Sequence, residues 1–266
     1  MNKMKKTAVQ KRNLLFIVLC GIFLTNALVA EMIGVKIFSA EATLGLQPAH
    51  ISILGYTLDF NLTAGVVLWP FVFITTDIIN EYFGKEGVKR ISYLTAILIS
   101  YAFIVIYVTT ILPPADFWMD INNKDNDGNA FNINFAFQTI FRQGLGIIIG
   151  SLTAFLIGQL LDVFVFHKLR KLTGSKLIWL RATGSTLVSQ LIDSFVVLFI
   201  AFFVFGNWSI EQVASVGLIN YLYKFLIAIA LTPLIYLAHY LIDQYLGKED
   251  ADKLAEEAAA KSDGLF

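Results

Sequence analysis

The chain has a single cysteine, Cys20, and only three histidines, His50, His167 and His239. One thiol gives no disulfide framework, and Cys20 lies inside an apolar run, where it reads as a packing residue. None of the scattered histidines sits in an H-E-x-x-H pattern, which argues against a metal centre. No serine has the G-x-S-x-G setting, and there is no G-x-x-x-x-G-K-[ST] loop to bind ATP. An intramembrane enzyme therefore has no motif to stand on; neither a cofactor nor a nucleic-acid partner is expected. Charge is scarce too, at 15% of 266 residues. A soluble domain of this size would have too little polar surface to cover itself.

Hydrophobicity fills the gap: 57% of residues are apolar and mean hydropathy is +0.69. Several runs reach the roughly 18–20 residues that cross a hydrocarbon core about 30 Å thick. They do not alternate, so a β-barrel is excluded. The pattern predicts an all-α polytopic membrane protein with six spans, at 14–35, 61–79, 91–112, 143–166, 181–205 and 218–246. Most of the Lys and Arg lies in the N-terminus, the second-to-third connection (Lys85, Lys89, Arg90), the fourth-to-fifth connection (Lys168 to Arg181) and the tail. The segment 113–135 is acidic instead, with Asp116, Asp120, Asp125 and Asp127. The positive-inside rule then places both termini in the cytoplasm. The expected organisation is a basic N-terminal segment (1–12), a transmembrane domain (13–247) and a cytoplasmic tail (248–266) forming a frayed helix. The first span reads as retained rather than cleaved, because Leu28 stands where signal cleavage wants a small residue.

Between the spans, ISILGYTLDFNLT alternates around Gly55 and predicts a short outer hairpin. PPADFWMDINNKDNDGNAFNIN has the Pro, Gly, Asn and Asp of a flexible loop. Within RQGLGIIIGSLTAFLIGQLLD, the residues Gly146, Gly150, Ala154 and Gly158 recur every four. Steps of four drift about 40° each around a helix, so they trace an inclined ridge suited to a close helix crossing. Arg142 and Asp162, at its limits, end on nearly opposite sides of a straight helix and cannot pair.

Ionisable groups within spans tend to face the bundle interior and mark a solute or ion path. Asp193 is the clearest, near the middle of ATGSTLVSQLIDSFVVLFIAFFVF, with Ser185 and Ser189 at intervals of four and Gln190 beside them. It is read as a binding residue, against the alternative of an interhelical hydrogen bond. In FITTDIINEYFG, Thr76, Asp77, Asn80 and Glu81 form an i, i+3, i+4 set at the cytoplasmic end of the second span. It fits either a cytoplasmic gate or ligand contact. Asp162 lies at similar depth, with Gln159 one turn earlier. Lys224 sits near the outer boundary of the sixth span, where it either snorkels to headgroups or meets a carboxylate. Asn26 interrupts the first span.

At ITTDIINEYFGKEGVKR, GQLLDVFVFHKLRK and GSTLVSQLIDSFVVLFIAF the sequence resembles the bacterial queuosine precursor transporter family, over roughly Asn26 to Tyr245. The resemblance implies a six-span inner-membrane carrier that imports the 7-deazaguanine bases preQ0 and preQ1. It singles out Asp77, Gln159, Asp162, Gln190, Asp193 and Lys224; Asn26 and Asn80 complete the candidate substrate-binding set. The family also looks like the substrate-binding subunits of vitamin transporters driven by a shared ATPase, which dock through Ala-x-x-x-Ala on the first span. Here Ala27 is followed by Glu31 and Ala30 by Gly34, a degenerate pattern that favours a stand-alone carrier. The competing readings are a carrier or substrate-binding component for another vitamin-like or nucleobase-like solute, and a structural membrane protein.

Overall fold

Helix α1 (Ala8–Ile33) starts at a capping box. Gln10 N–H donates to the Thr7 hydroxyl (3.3 Å) and Thr7 N–H to Gln10 Oε1 (3.0 Å), which satisfies two of the first-turn donors. The computed structural model describes residues 7–142, 144–173 and 177–262. The inward stripe of α1 is Leu19, Phe23, Ala27 and Ala30, spaced by three or four. The expected outer hairpin is present: β2 (Ile51–Ile53) pairs antiparallel with β3 (Tyr56–Leu58) across Leu54 (φ 50°) and Gly55 (φ 87°). Positive φ at both central residues is what a two-residue turn matched to strand twist requires. A second ladder joins β1 (Ile37–Ser39) to β4 (Asn61–Thr63), with the one-turn helix α2 (Ala40–Thr43) after β1. Tyr56 Oη meets Ser209 Oγ at 3.2 Å, fixing this cap on the next helical layer. Residues 61–63 are thus strand, and the second apolar segment becomes helical only at Trp69, after a 3-10 turn (Ala64–Val67).

Helix α3 (Trp69–Thr110) joins the second and third expected spans into one element of 42 residues. A straight helix of that length would measure about 63 Å, twice a hydrocarbon core. It is not straight. Gly84 has φ 71° and ψ −177°, non-helical values open essentially to glycine alone. A Cβ on Gly87 would lie 3.2 Å from Ile79 Cγ2, eight residues upstream, where straight helix would have risen about 12 Å. The chain folds back on itself at this point.

Segment 113–135, expected to be a flexible loop, is folded. It holds α4 (Asp116–Ile121), a turn in which Asp125 Oδ1 accepts from the N–H groups of Asp127 and Asn129, and the start of α5 (Ile133–Phe141). Arg142 follows α5, exposed over the Tyr107 ring at 5.0 Å, so it is not part of the small-residue helix. That helix is α6 (Leu145–Thr173). Its ridge meets α7 (Ile178–Leu198) and the π-helical turn Phe199–Val204. A Cβ on Gly146 would come within 2.5 Å of Phe205 Cβ, and one on Gly150 within 3.1 Å of the Val197 carbonyl. The missing side chains let the two backbones approach.

The sixth expected span is divided into α8 (Ile210–Ala230) and α9 (Thr232–Leu246), with Pro233 in the first turn of α9, where its absent N–H costs nothing. Among the described residues, α1, α3, α5 taken together with α6, α7 with the π-helical turn, and α8 make five stretches long and apolar enough to cross a membrane. The protein is an all-α, multi-pass membrane protein. The tail helix α10 (Lys248–Ser262) is docked rather than frayed. Ala251, Leu254 and Ala258 form a buried stripe, and Arg170 Nη2 donates to the Ala255 carbonyl at 2.9 Å.

Candidate functional site: an aromatic cavity with a polar floor

Three helices each contribute residues at helical spacing to one hollow. From α3 come Trp69, Phe73 and Asp77, four apart; from α7, Thr183, Thr186 and Gln190; from α8, Tyr223, Lys224 and Ile227, with Leu231 and Ile235 closing it beside α9. The hollow holds about 500 Å³ of empty space, part of it open to its surroundings. Its wall is mostly apolar, with a few convergent polar groups, the pattern that orients a solute while excluding water.

The polar groups are concentrated around Asp77 (2% exposed) and Gln190 (3%). Among the described residues nothing bonds Asp77 Oδ1 or Gln190 Nε2. Buried polar atoms are nearly always hydrogen-bonded, and leaving one bare costs roughly 1–3 kcal/mol. Both residues line the cavity, and a buried acceptor and a buried donor without partners are what a polar solute that reaches them would satisfy. Behind the wall, Thr76 Oγ1 donates to Gln159 Oε1 (3.1 Å), and Asp162 Oδ1 accepts from Ser189 Oγ (3.4 Å) and Thr186 Oγ1 (3.5 Å). Asp162 is fully buried and does not itself line the cavity; nor does Gln159.

Asp193 occupies a different place from the one its depth suggests. It packs from α7 against Gly158 of α6 and accepts from Lys224 Nζ on α8 at 2.5 Å. Lys224 faces the cavity; Asp193 is its counter-ion and stands off the wall. Asp193 thus bridges α7 and α8, the interhelical alternative, and it is Lys224 that lines the hollow. Asn26 is not drawn in, since its amide donates to the Ile22 carbonyl of its own helix at 2.8 Å. Asn80 is fully buried beside the cluster but off the cavity wall, and among the described residues neither amide atom has a partner.

A family model described as "Putative vitamin uptake transporter" matches residues 63–238, which hold every residue that lines the cavity. The "Probable queuosine precursor transporter" of Bacillus subtilis (strain 168) is 32% identical over 198 residues, covering 73% of this chain and 80% of that one. The Haemophilus influenzae protein of the same name is 32% identical over 68% of this chain and 70% of its own. The Escherichia coli (strain K12) "Queuosine precursor transporter" is also 32% identical, over 67% and 71%. The chain belongs to the queuosine precursor transporter family. No solved structure matches it. As a member of that family the protein is a transporter and not an enzyme.

In this queuosine precursor transporter family member, two polar clusters below the cavity were not legible as such. Glu81, on the turn after Asp77, accepts from Arg181 (2.7 and 3.1 Å) and lies 3.2 Å from Arg170. Counting charges assigns Arg181 to a solvated cytoplasmic connection; in the structure it is 1% exposed and belongs to α7. The Thr76–Glu81 set likewise does not snorkel but is buried throughout. Tyr82 Oη donates to Asp243 Oδ1 (2.9 Å) and meets His239 Nδ1 at 3.0 Å, tying α3 to α9. The i, i+4 relation of Asp77 and Glu81 was the available signal, since it puts both on one helix face; the arginine partner lies 100 residues away in sequence.

Proposed function

We propose that the protein imports queuosine precursors, the 7-deazaguanine bases preQ0 and preQ1, across the bacterial inner membrane for tRNA queuosine salvage. The observation that carries this is an aromatic cavity lined by both Asp77 and Gln190, each with a buried side-chain atom, Oδ1 and Nε2, left without a hydrogen-bond partner among the described residues. A deazaguanine offers adjacent N–H donors on one edge and a carbonyl on another. Asp77 accepts the donors, and Gln190 Nε2 donates to the carbonyl. Lys224 uses one proton on Asp193 and keeps two more to give. The flat ring stacks against Trp69, Phe73 or Tyr223. An analogue lacking the donor edge leaves Asp77 unpaired in a dry site and is rejected.

Six spans with both termini inside remain the proposed topology, with the two arms of α3 as separate crossings folded at Gly84. A stand-alone carrier is proposed over an ATPase-driven subunit. Ala27 and Ala30, the small residues on α1 where such subunits dock, are buried within the chain, and Gly65 packs directly on the Ala30 backbone.

The test is rescue. Bacteria unable to make preQ0 and lacking their own importer are given the gene and nanomolar preQ1, and queuosine in tRNA is assayed. Restored queuosine is expected. A well-expressed protein that restores none overturns the substrate assignment.

A further inference from the structure

Three of the helices that wall the cavity are tied together again just past one end of it. On α3 the last residue lining the hollow is Asp77, on α7 the first is Thr183, and the α9 liner is Ile235. One turn beyond Asp77, Glu81 takes Arg181 of α7 in a two-pronged ion pair, at 2.7 and 3.1 Å. Tyr82, its neighbour on α3, is bonded to His239 and Asp243 of α9, and His239 lies one turn beyond Ile235. Thr183 Oγ1 meets Thr232 Oγ1 at 3.0 Å and closes the third side, α7 to α9. Glu81, Tyr82, Arg181 and His239 are all buried, and the Arg181 guanidinium lies over the buried Phe166 ring of α6 at 5.9 Å.

A further element reaches the same ring. Arg170 of α6 sets Nη1 3.2 Å from Glu81 Oε2 and 3.4 Å from the Glu81 carbonyl, while its Nη2 donates to the Ala255 carbonyl of α10 at 2.9 Å. The planar guanidinium thus holds the ring and the tail helix in one fork. The tail itself packs against α3, with Ala251, Leu254 and Ala258 buried. Polar contacts suit a seal that opens. Ion pairs and hydroxyl bonds exchange protein partners for water when helices part, so hydration offsets much of their loss. An apolar seal of the same area would lose its burial outright.

We propose that the Glu81–Arg181, Tyr82–His239 and Thr183–Thr232 contacts form the inner gate of the carrier, closed in this structure, and that α10 is its strap, released through Arg170. This rests on the reading of the cavity as the solute site and on both termini lying inside. The base sits on Asp77, one turn from Glu81, so its release to the cytoplasm requires α3 to part from α7 and α9. Arg170 grips Glu81 and Ala255 together, so the tail loosens as the gate opens.

Thiol labelling tests this without solute. In a Cys20→Ala background, Ala228→Cys puts a thiol on the cavity wall and Leu254→Cys puts one in the buried stripe of α10. Inside-out membrane vesicles present the cytoplasmic face to an impermeant maleimide, and slow labelling at both positions is expected. Glu81→Gln and Tyr82→Phe are each expected to speed labelling of Ala228→Cys severalfold. Tyr82→Phe removes only a hydroxyl, and it decides the matter where Glu81→Gln fails to reach the membrane. Unchanged rates, or a rise only in right-side-out vesicles, overturn the inner gate. Arg170→Gln is expected to speed labelling of Leu254→Cys and, with it, of Ala228→Cys. Any other pattern, including a loosened tail over a cavity still closed, overturns the strap. Protection of Ala228→Cys by preQ0 is expected as well; its absence overturns the solute reading, while the labelling rates still decide the gate.

Discussion

Single residues set the chemistry of the cavity through what they are left without. Lys224 and Asp193 are each less than a quarter exposed, so their pairing is worth more than a surface ion pair. Removing one partner strands a charge, whereas removing both leaves a neutral site. Lys224→Met and Asp193→Asn are each expected to destabilise by about 1.5–3 kcal/mol, with the double variant costing less than the sum. Thermal unfolding of the four proteins in detergent measures the coupling, and strict additivity would dissolve the pair. The depth of Asp193 was legible from its place in an apolar run, and a carboxylate partner was one of the two readings of Lys224; which carboxylate was not legible, because the two residues lie 31 apart in sequence. Arg181 was missed for a related reason. A basic residue at the start of a span counts equally toward orientation whether it meets water or a buried glutamate.

At the scale of elements, apolar length made the helices readable, while their joints were hidden. Gly84 sits in the unremarkable stretch FGKEG, yet it carries the fold-back of α3. Gly84→Ala places a Cβ in a conformation that costs roughly 1–3 kcal/mol. It is expected to lower the melting temperature more than Gly21→Ala, where an added Cβ meets nothing. Equal effects would mean the turn does not need glycine. The start of α3 was misplaced because Asn61–Thr63 continues an apolar run that a ladder partner, β1, recruits into strand. In that outer cap, Phe60 N–H and the Ser39 hydroxyl both donate to Glu41 and hold its carboxyl below the usual carboxylate range. A lowered folded-state pKa stabilises above the ordinary glutamate value and is lost as pH falls through the lower one. Protection factors over 37–63, taken against the intrinsic exchange rate at each pH, are expected to fall in acid, and Glu41→Gln to abolish that pH dependence; a cap equally protected in acid would contradict it.

For the whole molecule, hydropathy and family membership agree on a multi-pass transporter, and the surprises lie in how segments join. The tail, polar enough to look frayed, docks because Ala251, Leu254 and Ala258 line one helix face. With Cys20→Ala as background, single cysteines at Lys248 and Lys85 are expected to react with impermeant maleimide only after the cytoplasmic side is opened, and one at Asp127 from outside. Reaction of Lys85 and Asp127 positions from the same side would refute two crossings within α3. The most direct measurement is equilibrium binding of preQ0 and preQ1 to the purified protein, wild type against Asp77→Asn. Loss of a charge-assisted hydrogen bond, worth about 1.5–3 kcal/mol, should weaken binding by roughly tenfold to a hundredfold, with 7-deazaadenine bound by neither protein. Equal affinity of the two proteins for both bases would contradict the site.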